Sequence, residues 1–106
     1  MQLSLKDLHR QYPTPLVLCA KTATQHTLGP GVLRGSQQVL ARIFDGGRFR
    51  VFFHDDGVEI QSDRIPRWSF NGEPKQQGDV INIAAGAEVG ILEIGGLRYE
   101  ISATLH

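Results

Sequence analysis

The sequence predicts a mainly β protein, a small antiparallel β-sandwich or barrel of roughly six to seven strands with a short N-terminal helix. Three observations lead there. From Val39 onward, short runs rich in Val, Ile, Phe and Tyr are separated by Gly- and Asp-containing turns at spacings of roughly 8–12 residues. The last run, Leu97-Arg98-Tyr99-Glu100-Ile101-Ser102-Ala103, alternates strictly, with Leu97, Tyr99, Ile101 and Ala103 on one face. A single cysteine, Cys19, excludes an intramolecular disulfide, so packing alone must hold the core.

The expected N-terminal helix covers residues 1–13. Ser4 serves as N-cap with Asp7 three positions later, Leu3 and Leu8 sit at the staple positions, and Leu5, Leu8 and Tyr12 form one stripe. Pro13 and Pro15 stop it, and at about two turns it depends on tertiary contacts. Leu16 to Ala20 is a short apolar run that periodicity leaves open between strand and helix. Thr22 to Gln38, with Gly29-Pro30-Gly31 at its centre, reads as a long loop of the kind that is often mobile or functional.

The β-core is expected over residues 39–103. Val39 to Phe44 and Arg48 to Phe53 read as a hairpin around Asp45-Gly46-Gly47. On its second strand Phe49, Val51 and Phe53 point one way, and Arg48, Arg50 and Phe52 the other. Asp55-Asp56-Gly57 turns the chain into Val58-Glu59-Ile60, Pro66 precedes the run Arg67 to Phe70, and Asn71-Gly72 is a turn. Gln77-Gly78-Asp79 introduces Val80 to Ile83, and Gly95-Gly96 introduces the closing strand. Between them, Glu88 to Ile94 changes phase near Gly90, which predicts a bulge there or a strand covered on both faces.

The 106 residues amount to one domain with enough chain for a single core. Eleven basic and eleven acidic residues cancel, which argues against a dedicated nucleic-acid binder. The N-terminus is too polar for a secretory signal, and no apolar run approaches the roughly 18 residues that span a bilayer. A soluble cytoplasmic protein with no membrane partner is expected.

No catalytic constellation stands out. His54-Asp55-Asp56 is the only local cluster of metal-capable side chains, but Asp-Asp-Gly is what a tight turn requires on conformational grounds. Cys19 with His26 or His54 would make a thiol nucleophile only if activated, and Cys19 sits in an apolar run where it behaves as a small hydrophobe. The glycines match no phosphate-loop spacing. No enzyme activity, cofactor or metal is expected. The candidate interaction face is Arg48, Arg50 and Phe52, with Arg67 and Trp68 nearby in sequence. Arginine interleaved with aromatics is how small β-barrels hold single-stranded nucleic acid. The competing reading has the arginines lining a wet face, Phe52 under the N-terminal helix and Trp68 in the core.

Four segments resemble the lambda-type head–tail joining (head-completion) proteins of tailed bacteriophages: Ala41-Arg42-Ile43-Phe44-Asp45, Gly57 to Ser62, Gln77 to Ile83, and Gly95 to Ile101. The resemblance spans about residues 39–103, with Ala84 to Ile94, which contains its own strand, intervening where that family passes almost directly between its last two strands. It implies a β-sandwich that assembles as a ring between portal and tail, without catalysis. The expected function is therefore a structural or interaction protein with protein partners, as a homo-oligomer or part of a larger assembly and located in cytoplasm or virion. A single-stranded nucleic-acid-binding module is the alternative.

Overall fold

The computed structural model describes residues 1–9, 14–19, 25–34 and 37–105. Two antiparallel sheets face each other across one hydrophobic cluster. The strands are β1 (Gln2–Asp7), β2 (Leu16–Cys19), β3 (Gln25–Leu28), β4 (Arg48–Phe53), β5 (Gly57–Asp63), β6 (Arg67–Phe70), β7 (Glu73–Gln76), β8 (Val80–Ala84), β9 (Gly90–Ile94) and β10 (Leu97–Thr104). Among the described residues one helix, α1 (Gln37–Phe44), precedes β4. The larger sheet runs β2-β1-β10-β9-β6-β7, and the smaller runs β3-β4-β5-β8.

The mainly β architecture is as expected, but its elements differ. Ten strands occur among the described residues in place of six to seven. The N-terminal segment is a strand, not a helix: Gln2 to Asp7 pair residue for residue with Thr104 to Tyr99 of β10. Leu3, Leu5 and Asp7 therefore point inward at period two. Two helical turns would have been marginal alone, whereas a strand gains a full backbone ladder on each side. The expected stripe residue Tyr12 and the stop at Pro13 lie outside the described residues. Leu16 to Cys19 resolves as a strand, on the edge beside β1.

The expected long loop, Thr22 to Gln38, contains β3 and the start of α1, although residues 22–24 and 35–36 lie outside the described residues. Val39 to Phe44 is helical rather than the first strand of a hairpin. Leu40 and Phe44, one turn apart, are both fully buried, and Ile43 packs against the core from the same side. Ala41 and Arg42 face solvent. Glu88 to Ile94 needs no bulge: the strand begins at Gly90, with Gly90, Leu92 and Ile94 inward and Val89 outside it. The ring of Phe70 lies against Gly90, where a Cβ would sit 2.6 Å from it.

Turn chemistry sets the register. Asn71 and Gly72 both have positive φ (53° and 79°), giving β6 and β7 the two-residue hairpin that Asn-Gly favours. Ser62 Oγ lies 3.2 Å from Gln76 O and 3.1 Å from Asp79 O, and Trp68 Nε1 donates to Gln76 O at 3.2 Å. The connection from β7 to β8 is thereby fastened to both sheets. At the other end of β8, Gly86 N donates to Ala103 O (2.9 Å), again bridging the sheets.

Phe49 sits at the centre of the core. Its ring meets Phe44 of α1 edge-on at 5.8 Å and Trp68 of β6 at 5.2 Å. Aromatic pairs in this arrangement add about 0.5–1.5 kcal/mol each to their burial. No helix of the described residues is long and apolar enough to cross a membrane.

Gly57 marks the tightest approach within the smaller sheet. A Cβ there would lie 2.4 Å from Ile83 O and 3.1 Å from Ala84 Cα. Gly57→Ala is expected to force β5 and β8 apart and destabilise the protein by about 1–3 kcal/mol. Urea denaturation measures this, and an unchanged midpoint contradicts the close approach.

Candidate interaction face

Because Phe49 and Val51 are drawn into the core, period-two alternation turns Arg48, Arg50 and Phe52 outward on β4. Cross-strand register completes the outer face of the smaller sheet. Arg48 stands opposite Asp63; Arg50 lies between Thr27 and Gln61; Phe52 lies between Gln25 and Glu59. Beyond β5, Val80 and Asn82 extend the last two rows.

Arg48 Nε and Arg50 Nη2 both reach the same atom, Asp63 Oδ2, at 3.2 Å each. One carboxylate thus holds two guanidinium groups in place. With Glu59 on the neighbouring row, the formal charges of Arg48, Arg50, Asp63 and Glu59 cancel. Phe52 is half-buried among amide and carboxylate side chains and belongs to this outer face, with no N-terminal helix above it among the described residues.

The five candidate residues do not form one surface. Arg48, Arg50 and Phe52 share the β4 face. Trp68 is 4% exposed and belongs to the core between Phe49 and the β7–β8 connection. Arg67 is exposed, but on β6 of the other sheet. A link between the two does exist at the sandwich edge. A hollow of about 200 Å³ bordered by Arg50, Asp63 and Arg64 shares Gln77 with a second of about 400 Å³ bordered by Arg67, Lys75 and Pro74. Asp63 is the residue that the sequence reading missed. No local pattern marks it, since its role comes from lying opposite Arg48 across the ladder.

The other chemical candidates are dispersed. His54 Nε2 lies 4.0 Å from Glu59 Oε1, and Asp55 and Asp56 are exposed in the β4–β5 turn. Among the described residues, no three His, Cys, Asp or Glu side chains gather as a metal site. His26 comes close to Cys19, but its Nε2 meets the backbone oxygen at 3.3 Å rather than the thiol. Cys19 is partly exposed on the edge strand β2. Asp7 is buried; its Oδ1 accepts from His9 N at 2.8 Å, and its Oδ2 has no hydrogen-bond partner among the described residues.

The Asp63 clamp has a measurable signature. Side-chain exposures of 47% for Arg48, 38% for Arg50 and 32% for Asp63 keep these pairs in contact with solvent. Asp63→Asn is therefore expected to change stability by less than about 1 kcal/mol. The same variant should elute later from a cation-exchange column, because it frees two arginines at once. Urea denaturation and the elution profile check the two halves separately. No protein-family model matches the chain, and neither a curated protein nor a solved structure is significantly similar to it.

Proposed function

We propose that this chain is a non-enzymatic structural or interaction module that docks the outer face of its β3-β4-β5-β8 sheet onto a protein partner. The observation that carries this reading is the double hold of Asp63 on Arg48 and Arg50 beside Phe52. Arginines whose rotamers are already restrained lose less entropy on docking. Arg and aromatic residues are also the side chains most often decisive in protein interfaces. A face whose charges cancel suits a protein surface of mixed charge better than a polyanion. The resemblance to head–tail joining proteins adds a specific version, a connector that assembles between portal and tail.

The second reading is single-stranded nucleic-acid binding. What favours it is the pair of hollows sharing Gln77, which places Arg50 and Arg64 on one side and Arg67 and Lys75 on the other. A strand crossing the sandwich edge would meet cations on both sheets. Asp63 within the first hollow, and Glu73 within 3.6 Å of Lys75, weigh against it.

The two readings separate experimentally. Arg50→Ala combined with Phe52→Ala should weaken binding to protein partners encoded beside this gene by tenfold or more, roughly 1.4 kcal/mol or above. Biolayer interferometry measures it, and unchanged affinity rejects the face. Fluorescence anisotropy with oligonucleotides at two salt concentrations should detect no salt-sensitive binding; a steep salt dependence favours the second reading.

A further inference from the structure

We propose that the outer edge of β8, unpaired among the described residues, pairs antiparallel with β8 of a second copy, joining two four-stranded sheets into one. The inference deepens the reading of this chain as an assembling module, and rests on it, by naming a partner and the strand that meets it.

The backbone of β8 is divided by its ladder to β5. Ser62 N donates to Asp79 O at 3.0 Å and Ala85 N donates to Asp56 O at 2.9 Å. In an antiparallel pair these bonds recur at every second residue, so Ile81 and Ile83 also face β5. Val80, Asn82 and Ala84 consequently present their N–H and C=O groups to the open side. Of these, Ala84 O also accepts from Ala87 N at 3.1 Å, which leaves a carbonyl lone pair for another donor.

Natural sheets protect such edges with proline, charge or brevity. The other sheet's edge at β7 follows that rule, reading Glu73-Pro74-Lys75-Gln76. The β8 edge does not. Its outward side chains are Val80, Asn82 and Ala84, without charge or proline, and Val80 is 40% exposed. The acid that precedes the strand in sequence is folded away, since Asp79 Oδ2 accepts from Gln76 N at 2.8 Å within the preceding turn, and Glu59 opposite Asn82 belongs to the next strand inward. The remaining edges, β2 and β3, have four residues each and are tied to each other by His26 and Cys19.

This strand is self-complementary about Asn82. A two-fold axis there sets Asn82 against Asn82 of the second copy, exchanging both backbone bonds. Val80 then stands against Ala84 of the second copy, a larger apolar side chain beside a small one. No like charges oppose each other, and the axis needs no change in the fold. The outer faces of both copies become continuous, so two Arg48–Arg50–Phe52 rows lie on one surface.

Charge exchange at position 82 tests this. Wild type is expected to show concentration-dependent dimers in sedimentation velocity. Asn82→Lys and Asn82→Glu should each weaken dimerisation roughly three- to tenfold, because like charges meet on the axis. An equimolar mixture of the two should restore a dimer that native mass spectrometry identifies as mixed. Residue 82 faces solvent opposite Glu59, so far-UV circular dichroism of both variants should match wild type and their urea midpoints should shift only slightly, upward for Lys and downward for Glu. A wild type that remains monomeric, or that pairs only with a strand of another polypeptide, overturns the inference; so do single variants that dimerise like wild type. The functional reading fails separately: it falls if the Arg50 and Phe52 substitutions leave partner binding intact in the Asn82→Lys background at a concentration where that variant is monomeric.

Discussion

Phe49 is the contact on which the rest of this structure depends. Its ring joins α1 through Phe44, the larger sheet through Trp68, and the smaller sheet through its own strand. A buried phenylalanine contributes about 1.5–3 kcal/mol by leaving water, and each edge-on ring contact adds to that. The consequence for function is geometric. Once Phe49 and Val51 are committed inward, a strand's period of two leaves Arg48, Arg50 and Phe52 no choice but the outer face. The candidate interaction surface is the reverse side of the core.

The alternating strands were legible because each carries its own evidence of which face is wet. β4, β5, β8 and β10 all bury alternate residues, and their turns contain Gly, Asn or Asp where the backbone needs them, whereas β9 alternates only once Val89 is left outside the strand. The errors fall where one sequence satisfies two periods. Residues 3–8 contain both Leu3 and Leu5 at strand spacing and Leu5 and Leu8 at helix spacing, and the free side of β10 decides between them. Val39 to Phe44 contains β-branched and aromatic residues that suit a strand. The spacing of Leu40, Ile43 and Phe44 also suits a helix, and covering Phe49 is what favours it. β7 has no apolar residue besides Pro74 and is a strand because the Asn71-Gly72 turn lays it against β6.

The site divides in the same way. Three of the five candidate residues share a face because neighbours two apart on one strand must do so. Arg67 and Trp68 were nearby in sequence only: they belong to the opposite sheet, and alternation there sends Trp68 into the core. Asp63 entered the site through register, thirteen residues away from Arg50 along the chain and 3.2 Å away in space. Its carboxylate alters the character of the face, tying two cations into one restrained cluster whose remaining positive charge is balanced by Glu59 on the neighbouring row.

By itself, the sequence determined the class of the protein and the faces of its clearest strands, because hydrophobic alternation and turn residues act within a few positions of one another. It also determined that Arg48, Arg50 and Phe52 would stand together. Only the tertiary structure decided which strands are neighbours, where the helix lies, and which charges meet. Those outcomes depend on pairing between segments far apart in sequence, where burial and backbone hydrogen bonding outweigh local preference.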